Sequence, residues 1–148
     1  MPKTVVSRSI DAPVAFVFKA ISDIRHFSKA IPHIAKIEYL TEQQSGVGTR
    51  FRETRLMNGK VASTELEVTE FVENERIRLV ADSHGTLWDS VFVVKAAGDQ
   101  TDLTLTMDAT PQTMMAKMMA PMTKHIIQKA LEDDMDSMKT YCEKHYDK

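Results

Sequence analysis

Apolar and polar positions change their period twice along the chain, and these changes define its elements. Lys3 to Ile10 alternates as a strand does, and Asp11-Ala12-Pro13 then supplies an N-cap candidate and a helix-starting proline. A short helix is predicted from about Pro13. Phe16, Val17, Ala20, Ile21 and Ile24 recur at helical spacing, Ser22-Asp23 can cap a second short helix reaching Ala30, and Pro32 ends it. Short β-type runs follow, separated by Gln44-Ser45-Gly46, Asn58-Gly59, Glu73-Asn74-Glu75, Ser83-His84-Gly85 and Gly98-Asp99-Gln100. These turns predict strands over 35–41, 49–57, 61–73, 76–82, 86–96 and 101–109, an antiparallel meander. With the first strand they make seven.

After Pro111 the helical period returns. Ile127, Leu131, Met135, Met138 and Cys142 form one stripe, widened by Ile126, Ala130 and Tyr141. A helix over 113–146 would extend roughly 50 Å, and Pro121 predicts a bend or a break near its start. A meander with one apolar face needs a partner, and only this last helix is large enough. The predicted fold is therefore α+β. A curved seven-stranded antiparallel sheet, with two short helices after its first strand, wraps the long C-terminal helix and encloses a cavity fit for a ligand.

Composition narrows the chemistry. With 148 residues, 43% of them hydrophobic, the chain suits one domain, residues 1–148. Its net charge of -2 comes from mixed signs, so no nucleic-acid partner is expected. Met1-Pro2-Lys3-Thr4 leads directly into the first strand, and no apolar run is long enough for an integral membrane segment, which points to a cytoplasmic protein. Cys142 is the only cysteine, so an intrachain disulfide is impossible and it reads as a small buried hydrophobe. The histidines His26, His33, His84, His125 and His145 have no metal-ligand spacing, and no glycine-rich loop precedes a helix. No metal and no cofactor are expected.

Several motifs resemble those of one family. Ser9-Ile10-Asp11-Ala12-Pro13-Val14-Ala15-Phe16-Val17-Phe18, followed by Ile21-Ser22-Asp23, is similar to the strand-to-helix entry of the START-like SRPBCC superfamily, in its polyketide cyclase/dehydrase and lipid-transport branch. Phe27 and Pro32 sit where that family has an aromatic residue and a proline. Gly46-Val47-Gly48-Thr49-Arg50-Phe51-Arg52-Glu53 resembles its glycine-marked third strand, and Gly98-Asp99-Gln100-Thr101-Asp102-Leu103-Thr104-Leu105 its last hairpin. Residues 131–138 resemble its closing helix. The resemblance covers nearly the whole chain and implies the helix-grip fold. It implies no single function, because that scaffold hosts lipid and hormone binders, aromatase/cyclases and quinone chaperones.

Alternation turns Trp88, Ser90, Phe92 and Val94 to one face, and Leu103, Leu105 and Met107 likewise. Trp88 can stack on a planar ligand or simply fill the core. Phe51, Glu53 and Arg55 share a face, so an inward Phe51 brings a carboxylate and a guanidinium toward the cavity; the competing reading is an exposed ion pair. The resemblance places the second short helix at the cavity mouth; Phe27 is a candidate ligand contact, and His26 and His33, which flank that helix, are each a candidate acid or base. Met114, Met115, Met118, Met119 and Met122 form a thioether-rich segment with three readings: a lid over the entrance, a partner-docking surface, or packing of the helix start. In the lid reading Met118, Met122 and Ile126 touch the ligand.

The leading expectation is binding of a small apolar ligand, such as a lipid, a quinone or a polyketide-like aromatic. One alternative is a cyclase, dehydratase or aromatase in which Glu53, Arg55 or a mouth histidine moves protons. Another is an interaction module that forms a homodimer or docks a partner through the methionines.

Overall fold

Strand β1 (Lys3–Ile10) buries Thr4, Val6 and Ile10 on one face, with Arg8 half-buried beside them, and exposes Val5, Ser7 and Ser9 on the other. The computed structural model describes residues 3–57 and 59–146, so Met1, Pro2 and Asn58 of the motifs above lie outside the described residues. Helix α1 (Val14–Ser22) buries Val17, Phe18, Ala20 and Ile21. Its N-cap is Pro13, with no side-chain cap; the Pro13 carbonyl accepts from the N–H groups of Phe16 and Val17 at 3.0 and 3.1 Å. Asp11 is thus not the cap that the sequence suggested. It stands too far upstream, and its backbone N–H donates to the Glu143 carboxylate at 2.9 Å. Helix α2 (Ile24–Ala30) begins as expected, with the Asp23 carboxylate accepting from the Arg25 N–H.

The six later strands are β2 (Ile34–Tyr39), β3 (Arg50–Met57), β4 (Lys60–Val72), β5 (Arg76–Ser83), β6 (Thr86–Ala97) and β7 (Gln100–Pro111). Their ends lie within two residues of the expected ones. All pairs are antiparallel, in the order β1-β7-β6-β5-β4-β3-β2, with β1 beside the last strand. Register shifts at Ile34/Lys36 and Val68/Glu70 add the local bending that turns the sheet about the helix.

Helix α3 (Met114–His145) runs 32 residues, about 48 Å, and continues through Pro121. The expected division does not occur. Proline removes one hydrogen-bond donor, and the surrounding methionine, alanine and lysine residues are strong helix formers that carry the helix past it. Leu131, Met135, Met138 and Cys142 are buried with Val6, Ile10, Phe18, Ile77, Leu103 and Leu105 in one core. Three polar ties fix α3 to the start of the chain: Arg8 Nε bonds Asp136 at 2.6 Å, the Lys139 ammonium donates to the Ser9 carbonyl, and the Glu143 carboxylate accepts from the Asp11 N–H.

The β5–β6 connection is two residues, His84 and Gly85, with φ of 54° and 76°. Positive φ at both central residues is the signature of a type I′ hairpin. The Gly85 carbonyl accepts from the N–H groups of Gln112 and Thr113 at 2.7 and 3.3 Å, while Thr113 Oγ1 caps α3 by accepting from Ala116 N–H at 3.1 Å. A Cβ on Gly85 would stand 2.6 Å from that same Oγ1. Gly85→Ala is therefore expected to lower stability by about 2–3 kcal/mol, combining left-handed strain with displacement of the cap. Gly98→Ala shares the positive φ but meets nothing within 4 Å, so it should lose only about 1 kcal/mol. Urea midpoints of the two variants check the difference.

Candidate functional site

The concave face of the sheet and α3 enclose a cavity of about 260 Å³. Side chains two residues apart on a strand share a face, so β6 sends in Trp88, Ser90 and Phe92, and β7 sends in Leu105 and Met107. Phe27 reaches the cavity from α2 and meets Phe92 edge-to-face, with ring centroids 5.8 Å apart. Trp88 keeps its indole N–H on the Ser83 carbonyl at 3.3 Å, which aims the ring from the hairpin side. Ile127, Ala130 and Leu131 of α3 form the roof.

One end of this apolar space is charged. Phe51, Glu53 and Arg55 point inward together from β3, and Asp134 faces them from α3. Arg55 donates from Nε to Glu53 at 2.5 Å, and its two terminal nitrogens reach the two Asp134 oxygens at 3.1 and 3.0 Å. The side chains of Arg55, Glu53 and Asp134 are only 21%, 12% and 15% exposed, so the exposed ion pair considered from the sequence is not what forms. Burial alone would lower the Arg55 pKa. The attraction of Glu53 and Asp134 and the bonds to both outweigh it, and the guanidinium is held above its usual range.

Asp134 is absent from the residues singled out in the sequence. Its signal was its position: seven after Ile127 and three after Leu131, it places a carboxylate on the apolar stripe of α3.

The methionine segment is split by helical geometry. Ala116, Ala120, Thr123 and Ile127 turn toward the sheet, which leaves Met118 and Met122 on the far face, 73% and 69% exposed. Neither lines the cavity that the sequence assigned to them. Ile126, 69% exposed, lines a second cavity of about 420 Å³ between the first turns of α3 and β1, β6 and β7, together with Met115 and Met119. Trp88, Met107 and Ile127 line both cavities and form the partition between them.

The other titratable candidates stand apart. His26 Nδ1 lies 3.2 Å from the Tyr141 hydroxyl and His33 is exposed, and neither lines either cavity. His84 borders only the second cavity. Cys142 is fully buried, and burial pushes its thiol up to about 12, which keeps it protonated and inert at neutral pH. Among the described residues no group of His, Cys, Asp and Glu is placed to hold a metal ion, and no helix is long and apolar enough to cross a membrane.

No curated protein is a significant sequence match to the chain. Solved structures share its fold. A START superfamily protein from Mycobacterium smegmatis superposes with a TM-score of 0.81 at 17% identity, covering 97% of this chain and 99% of that one. The Zhui aromatase/cyclase from Streptomyces sp. R1128 gives 0.80 at 14% identity, with 97% and 94% covered. The protein TTHA0849 from Thermus thermophilus gives 0.78 at 17%, with 95% and 97% covered. The sequence model of the family described as polyketide cyclase / dehydrase and lipid transport matches residues 1–143. With a family match over nearly its full length, and with a seven-stranded antiparallel sheet gripping one long helix as in the START superfamily structure, this chain belongs to the polyketide cyclase/dehydrase and lipid transport family.

Proposed function

We propose that the protein binds one compact, mainly apolar molecule beneath α3, with a hydroxyl or other hydrogen-bond-donating end against Glu53 and Asp134. The observation that carries this reading is the polarity of the cavity: hydrophobic walls along most of its length and one charged cluster at the end. Two carboxylates facing one guanidinium leave a surplus negative charge. Such an end favours a donor and disfavours a carboxylate. A phenolic or alcoholic member of the lipid, quinol or polyketide-like classes fits, and the family's breadth accommodates all of them.

Catalysis by the same cluster, as a cyclase, dehydratase or aromatase, has less support. Arg55 engages both carboxylates, so neither is set apart as a free acid or base.

Because Trp88 is the only tryptophan and lines the cavity, its emission is the natural reporter. An environment-sensitive apolar dye should bind one-to-one and quench Trp88, and a hydroxylated aromatic should displace it. Asp134→Asn should weaken that competitor about tenfold while changing dye affinity little, since a hydrogen bond to a charged group is worth about 1.5–3 kcal/mol. Absence of saturable quenching would reject the binding reading. Native mass spectrometry with organic extraction of what co-purifies identifies the class.

A further inference from the structure

We infer that the first half of α3 is a docking surface for an anionic lipid bilayer. Met114, Met115, Met118, Met122 and Ile126 are 77%, 76%, 73%, 69% and 69% exposed, a concentration of large apolar side chains on one stretch of helix. At about 100° per residue these five and Met119 fall within an arc of roughly 140°, with Met114, Met118 and Met122 turned away from the sheet and Met115, Met119 and Ile126 bordering the second cavity. Single exposed methionines are ordinary; a continuous arc along three turns is an interaction surface.

Charge selects the occupant. Between Asp108 and Glu132 the chain carries no acidic residue, while Lys117, Lys124 and Lys129 are all exposed. Lys117 and Lys124 have no ion-pair partner among the described residues, and Lys129 reaches only the exposed Asp133 at 3.5 Å. The second half of α3 holds Glu132, Asp133, Asp134, Asp136 and Glu143. The helix thus divides into an acid-free, lysine-flanked apolar half and an acidic half, although the protein's net charge is -2. A second copy meeting this face through a two-fold axis would set lysines against lysines. An anionic bilayer offers both complements at once, phosphates for the lysines and acyl chains for the thioethers.

The surface also adjoins the ligand space. Met115, Met119 and Ile126 belong to the second cavity, which meets the first at Trp88, Met107 and Ile127. Resting on the binding proposed above, the docked face is where an apolar ligand passes between bilayer and cavity without crossing water.

The test is co-sedimentation of the full chain with phosphatidylcholine vesicles, with and without about 30% phosphatidylglycerol. Binding is expected only with the anionic lipid, and weaker at high salt. Met118→Gln with Met122→Gln should weaken it at least tenfold, and Lys117→Gln with Lys124→Gln roughly tenfold or more, at about fivefold for each lysine. Both pairs are exposed, so unchanged thermal melting confirms the variants are folded. Failure to bind anionic vesicles, or equal binding to neutral ones, overturns the proposal. So does a dimer in sedimentation velocity that the methionine variant dissolves, because a second copy then occupies the face. Dye binding measured without vesicles separates the two readings: dye bound with no vesicle binding removes the docking surface alone, and vesicle binding with no dye removes the cavity ligand alone.

Discussion

Arg55→Met is expected to destabilise the domain by about 3 kcal/mol, among the largest effects of any single change at the site. The substitution leaves Glu53 and Asp134 facing one another in a mostly apolar space, each deprived of its counter-charge. Removing one partner of a buried ion pair usually costs about 3–5 kcal/mol; side chains that keep some solvent contact place this cluster at the lower end. Combining Arg55→Met with Glu53→Gln and Asp134→Asn should restore most of the loss, since the charges that needed partners are gone. Urea titrations of the single and triple variants check both outcomes. A silent single variant would mean that water already satisfies the carboxylates. Recovery in the triple variant together with lost competitor binding would show that the cluster serves recognition more than stability.

Leu131→Asp should abolish folding. Leu131 is 6% exposed at the contact of α3 with the core, one turn from Asp134, and the cation that shares its cavity, Arg55, is already held by Glu53 and Asp134. Burying it unpaired costs several kcal/mol, on the order of a domain's whole stability of about 5–15 kcal/mol. Circular dichroism should show no cooperative melting transition. Met118→Asp on the opposite face of the same helix should melt like the parent, because Met118 is 73% exposed.

The contrast between those two positions shows what the pattern of residues could reveal. Period-two alternation put Trp88 and Phe92 on one face and Phe51, Glu53 and Arg55 together on another, because parity groups the side chains of a strand. Whether the Glu53–Arg55 pair faced the cavity or solvent was left open by parity alone, and in the fold both line the cavity. The turns were legible from Asn and Gly positions that take positive φ, as at Asn74, Gly85 and Gly98. Facing on α3 was harder. Residues 114–122 carry a single polar side chain, Lys117, so within these first turns no polar face marks the solvent side, and Met118 and Met122 could not be told from Met115 and Met119 by composition. Asp134 was passed over for the opposite reason, as a charge in an acidic run that hides its place on the stripe. Its partner lies 79 residues away, and only the packed fold brings the two together.

The pairing of β1 with β7 has a consequence for the order in which the molecule can assemble. Consecutive strands from β2 to β7 meet through local connections, and such contacts form early because little chain entropy is lost in closing them. Ser7 and Thr104 are 97 residues apart, and closing that span costs about 3 kcal/mol more than closing a tight hairpin. Arg8 and Asp136 are separated further, by 128 residues. An open meander with its concave face bare should therefore precede the arrival of β1 and α3, and the enclosed cavity is the last feature that folding creates.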